Sequence, residues 1–237
     1  MKVRGGKALY GASVGVLMLE ARFPRAPGDM GNALSFDFPV LYRVVRGASP
    51  ERVVRRRAAG LFDAFAEAAR GLLADGADGI VTNCGFLSLM QRQLAAAVDA
   101  PVATSSLMQV AAVERLLPPG RRAGVLTISA ETLTPEHLAA AGAPADAPVQ
   151  GTEAGREFSR VILEDEPEMD LDAARADNVE AARALQAREP GLGAIVLECT
   201  NMTPFAADIR AATGLPVFSM LSFTAWFQSG LAPRRWR

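Results

Sequence analysis

Apolar and polar positions along this chain alternate between two patterns. Short continuous apolar runs, of the kind left by strands buried on both faces, fall at Val14–Leu19, Gly79–Thr82, Pro101–Thr104, Gly124–Ile128, Ala194–Leu197 and Pro216–Phe218. Between them the spacing turns helical. Leu61, Phe62, Phe65, Ala69, Leu72 and Leu73 form one stripe, downstream of Ser49-Pro50-Glu51, which reads as an N-cap serine with proline at the first helical position. Ser88-x-x-Gln91 reads as a capping box opening a helix with Leu89, Met90, Leu94 and Val98 inward. Thr134 caps a short helix over Pro135–Ala141. Further helices are predicted over Asp172–Arg188, Pro204–Ala212 and around Phe223–Leu231, and Glu20–Pro39 reads as a long loop. Strands alternating with helices predict an α/β fold with parallel sheets, whose ligands sit at the carboxyl ends of the strands.

The pattern occurs twice. Ala77–Leu107 lies over Leu192–Ser222 at one constant offset, without a gap. Ile80-Val81 falls on Ile195-Val196, Cys84 on Cys199, Ala96-Ala97 on Ala211-Ala212, and Pro101-Val102 on Pro216-Val217. Gly15-Val16-Leu17 resembles Gly124-Val125-Leu126 at a slightly different offset. A duplication on this scale predicts two pseudo-symmetric Rossmann-like lobes, each a mostly parallel sheet flanked by helices, with the site in the cleft between them. The first lobe is expected to take residues 1–104 plus 217–237, with the C-terminal helix folded back onto it; the second takes residues 105–216.

Composition changes the picture mainly by exclusion. Half of the 237 residues are apolar, enough for a sizeable core, and 25 Lys+Arg stand against 26 Asp+Glu. That balance argues against a nucleic-acid binder, which needs a basic face. Lys2 and Lys7 are the only lysines, and both precede the first strand, which removes a Schiff-base cofactor route. Cys84, Cys199 and His137 do not have metal-ligand spacing, so no metal site is expected. No glycine-rich nucleotide motif is present. Met1–Lys7 followed by the apolar Ala8–Leu19 loosely mimics a signal peptide. Gly11 and Gly15 interrupt it and no A-x-A site follows, so a first strand is expected instead. No run is long enough for a membrane span. Two widely separated cysteines without a disulfide framework point to the cytoplasm.

Each cysteine ends a strand and precedes a helix: Cys84 lies four residues before the expected N-cap Ser88, and Cys199 four before Thr203. Such a turn directs backbone N–H groups and the positive helix end toward the site. It is expected to lower a thiol pKa and to bind a carboxylate. A lone cysteine at a strand end is usually a small buried hydrophobe. Two at equivalent turns of a duplicated fold point instead to acid/base chemistry on opposite faces of one carbon, in which one thiolate removes a proton and the other thiol returns one. A carboxylate held by turn N–H groups takes up the developing charge.

Through Thr82-Asn83-Cys84-Gly85 and Glu198-Cys199-Thr200-Asn201 the chain resembles the aspartate/glutamate/hydantoin racemase superfamily. The resemblance runs from the first strand to the last. It implies a cofactor-independent enzyme with Cys84 and Cys199 as the acid/base pair, and Asn83, Gly85, Thr200 and Asn201 as carboxylate contacts. Where glutamate racemases have Cys-Asn-Thr and Cys-Thr-His, this chain has Cys-Gly-Phe and Cys-Thr-Asn. The family's acidic-Ser-Gly segment is replaced by Glu20–Asn32. The expected activity is racemisation or epimerisation at the α-carbon of an amino acid or related small carboxylic acid. The alternatives are a maleate-type isomerase or arylmalonate-type decarboxylase, and a non-catalytic carboxylate-binding protein. The expected partner is the small carboxylate substrate, with no nucleic acid and no membrane, and assembly into a homo-oligomer is left open.

Other residues carry less. Ser105 and Ser106 follow a strand and either line the cleft or cap a helix. Glu20, ending the first strand, is a candidate for a substrate ammonium group; Glu198 is another, unless strand alternation turns it away. Arg22 and Arg25 read as exposed loop residues able to attract an anion, Arg55-Arg56-Arg57 as a solvated helix face, and His137 as solvated or locally bonded. Gly11-x-Ser13-x-Gly15 has its strand after the serine, opposite to a nucleophile elbow.

Overall fold

The computed structural model describes Lys2 and residues 5–235; Met1, Val3, Arg4, Trp236 and Arg237, which belong to the expected first lobe, lie outside the described residues. Two four-stranded sheets form, and every strand pair in them is parallel. The first contains β1 (Val14–Leu19), β2 (Val40–Val45), β3 (Gly79–Thr82) and β4 (Val102–Ala103) in the order β2-β1-β3-β4. The second contains β5 (Arg122–Thr127), β6 (Val149–Gly151), β7 (Leu192–Leu197) and β8 (Val217–Phe218) in the order β6-β5-β7-β8. The duplication is thus one of topology and register: Gly15 pairs with Ile80 in the first sheet, and Gly124 with Ile195 in the second.

The central strands are apolar throughout because helices cover both faces of each sheet. Residues of β1, β3, β5 and β7 are nearly all buried. α1 (Phe62–Asp75) and α2 (Gln91–Ala97) belong to the first half, and α4 (Pro135–Ala140), α5 (Phe158–Leu163), α6 (Leu171–Arg188) and α7 (Ala206–Thr213) to the second. The helix after each fourth strand crosses over. α3 (Val110–Leu116) packs on β5 and β7. α8 (Met220–Leu231) places Met220, Phe223, Phe227 and Leu231 among Val14, Val16 and Val81 of the first sheet.

The structure corrects several expected elements. β2 and β6 are edge strands that the apolar pattern did not reveal; β2 is mostly half-buried. The helix expected from Ser49 onward is interrupted. Glu51–Arg55 forms a single π-helical turn, with Val53 and Val54 both buried. Arg57 and Ala58 then take left-handed φ angles of 56° and 53° before α1 begins. Ser88 caps nothing: it lies inside a 3-10 turn, Gly85–Met90, and its hydroxyl has no partner. Gln91 serves the sheet instead, donating to the Val102 carbonyl (2.9 Å) and accepting from the Thr104 amide (3.0 Å). Thr203 likewise lies inside the 3-10 turn Thr200–Phe205. Thr134 does cap α4, in a reciprocal box with His137. No helix among the described residues is long and apolar enough to cross a membrane.

Candidate active site

With Ser88 and Thr203 displaced from capping, the cysteines themselves take the N-cap positions. Cys84 (φ −150°, ψ 119°) precedes the Gly85–Met90 turn, and Cys199 (φ −75°, ψ 122°) precedes Thr200–Phe205. The two turns are built alike. The Cys84 carbonyl accepts from the Leu87 amide, and the Cys199 carbonyl from the Met202 amide, both at 3.1 Å. The residue before each cysteine also docks alike: the Asn83 amide donates to the Leu17 carbonyl (3.0 Å) and the Glu198 amide to the Leu126 carbonyl (2.8 Å).

Both turns face one cavity, of about 20 Å³. Six residues expected at the site line it: Asn83, Cys84, Gly85, Cys199, Thr200 and Asn201. Thr200 closes the seam between the halves, its hydroxyl donating to the Asn83 carbonyl at 2.6 Å. The Asn83 side-chain oxygen accepts from the Leu19 amide at 2.8 Å, so Asn83 fixes the end of β1. The other three expected residues are not brought there. The Glu20 carboxylate accepts from Arg46 and from the Gly47 amide, each at 2.7 Å, which lowers its pKa. Ser105 caps the turn that precedes α3. Ser106 is fully buried and donates to the Leu197 carbonyl at 2.5 Å.

Leu19, Phe23, Val54, Phe86, Ile128 and Ile162 give the cavity apolar walls, with Pro50 at its edge. The walls are clasped across the halves. Asp165 accepts from the backbone amides of Arg22 (2.6 Å) and Phe23 (3.3 Å). Arg55 pairs with Glu164 at 2.6 Å, and Arg57 with Glu136. These two arginines are therefore cross-lobe partners, not a merely solvated face. His137 is fully buried behind Phe86, with ring centroids 5.2 Å apart; burial lowers its pKa to about 4, and it is locally bonded to Thr134.

Glu198 points into the cavity, although its strand position left that open. It is fully buried, and one carboxyl oxygen accepts from the Thr127 hydroxyl at 2.7 Å while the other has no partner. Burial raises its pKa to about 8, so it is a neutral acid at pH 7. Gly85 makes the room: a Cβ there would lie 2.3 Å from Glu198 Oε1 and 2.5 Å from its carbonyl oxygen.

The expectation of acidic thiols is overturned. Both cysteines are free and buried. Burial pushes the Cys84 thiol well above its ordinary range and Glu198 adds to this, with the Phe86 amide, Arg25 and the Leu87 amide opposing. Burial and Glu198 also raise Cys199, with the Asn201 amide opposing. The N-cap amides do favour each thiolate, but desolvation outweighs them. The Cys199 thiol donates to the Asn201 side-chain oxygen at 3.5 Å.

A further group was hidden in the Glu20–Pro39 loop. Asp29 is 2% exposed and accepts from Arg25 (2.9 Å), the Gly31 amide (2.6 Å) and the Asn201 side-chain amide (2.5 Å). Arg25 stacks over the Phe23 ring at 4.6 Å and is only 13% exposed, so it is not a solvated loop residue. Among the described residues no group of three or more His, Cys, Asp or Glu could hold a metal ion.

Comparison with known proteins agrees with this architecture. The chain is 29% identical over 233 residues to a dimethylsulfoniopropionate lyase from Durusdinium sp. clade D, covering 92% of this chain and 75% of that one. It is 30% identical over 229 residues to dimethylsulfoniopropionate lyase 6 of Emiliania huxleyi (strain CCMP1516), covering 89% of this chain and 57% of that longer protein. Among solved structures, a glycine-to-cysteine mutant of arylmalonate decarboxylase with associated sulfate shares the fold at a TM-score of 0.62 and 16% identity, over 94% of this chain and 95% of that one. Glutamate racemase RacE1 of Bacillus anthracis does so at a TM-score of 0.60 and 15% identity, over 93% and 81%. Residues 48–227 match the family model of the Asp/Glu/hydantoin racemases, an enzymatic family. The duplicated sheets, the cavity shared by two turn cysteines and that match have one reading: the chain belongs to the Asp/Glu/hydantoin racemase family.

Proposed function

We propose that this protein removes a proton from the carbon α to a carboxylate with its cysteine pair, and that the substrate is a 3-sulfonio carboxylate of the dimethylsulfoniopropionate type, cleaved by β-elimination. The observation that carries the choice of substrate is the character of the cavity. An amino acid brings an ammonium group with three N–H donors that need acceptors. Asp29 is already engaged by Arg25, Gly31 and Asn201, and Glu198 is held neutral up to about pH 8. Of the other polar groups lining it, the Asn83 and Asn201 side-chain oxygens already accept from the Leu19 amide and the Cys199 thiol, and the Thr200 hydroxyl is bound to the Asn83 carbonyl, which leaves one Glu198 oxygen for three N–H donors; the rest of the walls are aliphatic and aromatic. A sulfonium carries its charge without N–H groups, so apolar and aromatic walls suit it. The similarity to lyases acting on such a compound supports the same reading.

A substrate cation also answers the problem of the buried thiols. At about 4 Å, with an effective dielectric near 20, a unit positive charge stabilises a thiolate by about 4 kcal/mol, roughly a thousandfold. The thiol proton leaves to solvent as the cation enters. The thiolate then takes the α-proton, and the C–H electron pair becomes the Cα=Cβ bond. The Cβ–S bond breaks toward sulfur, and neutral dimethyl sulfide and acrylate result. The present cavity is smaller than such a substrate, so the clasp of Asp165, Arg55 and Arg57 must loosen for entry.

The duplicated cysteines favour a second reading, racemisation, which needs both thiols where elimination needs one base. Purified protein under reducing conditions, given dimethylsulfoniopropionate, is expected to release dimethyl sulfide into the headspace and acrylate into solution. Substituting the base, Cys84→Ala or Cys199→Ala, should slow this by about 10²- to 10⁴-fold. No dimethyl sulfide, together with deuterium exchange at the α-carbon of an amino acid in D₂O that either substitution abolishes, would replace elimination by racemisation.

A further inference from the structure

A zwitterionic or anionic substrate needs a partner for its carboxylate, and none of the residues lining the cavity is Arg or Lys. One cation backs a cavity wall, in the loop that replaces the family's usual segment after β1. Arg25 is held there on several sides. Its Nη1 donates to Asp29 (2.9 Å), its guanidinium covers the ring of Phe23, itself a cavity wall, and its carbonyl accepts from the Asn32 side chain (2.9 Å). Gly31 lets the loop close over it: a Cβ there would lie 2.4 Å from Arg25 Cδ and 2.7 Å from Nε. Yet Nη2 is buried and has no hydrogen-bond partner. A guanidinium nitrogen without an acceptor is costly when buried, unless an acceptor arrives. Asp29 then joins Arg25 to the second cysteine, because its other oxygen accepts from Asn201, whose side-chain oxygen accepts from the Cys199 thiol.

We propose that Arg25 is the specificity-determining residue that receives the substrate's carboxylate on Nη2, and that Asp29 is a positioning residue that aims Arg25 and Asn201 together. This rests on the carboxylate-substrate reading above, though not on elimination as the reaction. Nη1 stays with Asp29 while Nη2 takes one carboxylate oxygen, so the guanidinium bridges the loop and the ligand. Asp29 offsets part of the arginine charge, which moderates the hold on an anionic product that must leave.

Isothermal titration with acrylate and its neutral isostere acrylamide tests the assignment without requiring turnover. Wild type is expected to prefer acrylate, and Arg25→Gln to lose that preference by on the order of 10- to 100-fold, the range of a hydrogen bond to a charged group. Arg25→Lys should retain part of it, and guanidinium ion should restore it to Arg25→Ala. Asp29→Asn moves the other way: its amide oxygen still accepts from Arg25 and keeps it aimed but no longer offsets its charge, so acrylate binds more tightly, while its NH2 meets the Asn201 amide donor and turnover falls. If Arg25→Gln fails to fold, the Lys, guanidinium-rescue and Asp29→Asn arms decide. An acrylate preference unchanged in folded Arg25→Gln, or weakened acrylate binding in Asp29→Asn, overturns the assignment. Dimethyl sulfide release with an unaltered KM in Arg25→Gln overturns it while sparing the lyase reading. Arg25-dependent acrylate binding without dimethyl sulfide release does the reverse.

Discussion

Glu198→Gln isolates the buried carboxyl that lines the cavity. In the folded protein its pKa is raised from 4.5 to about 8 by burial, partly opposed by the Thr127 hydroxyl. Between these two values the native state holds a proton that the unfolded chain has lost, so stability falls as pH rises across that window. The stabilisation is fully present below about pH 4.5 and is lost as pH climbs through about 8. The span corresponds to roughly 5 kcal/mol at most, taking about 1.4 kcal/mol for each tenfold change in proton affinity. Glutamine keeps the shape of the neutral acid and cannot ionise. Its amide leaves an additional buried donor to satisfy, a cost of about 1–3 kcal/mol that does not vary with pH. The slope is therefore the diagnostic, not the absolute stability. Urea unfolding of both proteins under reducing conditions, from about pH 5 to about pH 9, should show the wild type losing several kcal/mol relative to the variant. The same substitution removes a negative charge that raises both thiols, so the rise of activity with pH should move to lower pH. Parallel stability curves across the range would refute the assignment of Glu198 as a buried neutral acid.

Substitutions at four other positions test neighbouring contacts. Thr127→Val removes the hydroxyl that lowers the Glu198 pKa, so the same stability window should shift upward in pH, with a loss of about 1–3 kcal/mol seen by urea unfolding. Gly85→Ala forces a methyl against the Glu198 backbone and should cost about 1–3 kcal/mol and most of the activity, read as melting temperature and turnover. Asp165, at φ 56°, should tolerate Asn but not Ala: Asn still caps the Arg22 and Phe23 amides, whereas Ala should raise KM and lower stability by about 1–3 kcal/mol. Ser106→Ala should cost about 1 kcal/mol and leave KM unchanged, because its hydroxyl serves the Leu197 carbonyl; a raised KM would return Ser106 to the substrate site.

What the sequence revealed, and what it hid, follows from where each signal resides. Strands buried on both faces leave a continuous apolar run, which is why Val14–Leu19 and Gly79–Thr82 are legible to the residue. β2 and β6 lie at sheet edges, are only partly buried, and leave no such run. Ser88 and Thr203 looked like helix caps because that is what such residues do at the start of a helix. The intervening 3-10 turns moved the cap position back to Cys84 and Cys199, a shift that depends on backbone geometry alone. Arg25 read as an exposed loop residue and Asp29 gave no signal, because the group that ties their loop to the site is Asn201, 172 residues from Asp29. Glu198 depended on the space left by Gly85 on the opposite turn. These are contacts between halves, and each partner is uninformative without the other. The repeat that exposed the cysteines also concealed a difference between them. It superposes Asn83 on Glu198, an amide that fixes β1 and an acid with one oxygen unpaired in the cavity. Two turns alike in their hydrogen bonds thus differ in the residue before the cysteine, yet Glu198 raises both thiols; what separates the cysteines is that Arg25 opposes the rise at Cys84 whereas Asp29 adds to it at Cys199. A strictly symmetric division of acid and base between them is therefore not what this arrangement favours, and the asymmetry is to be sought in the Arg25–Asp29 pair.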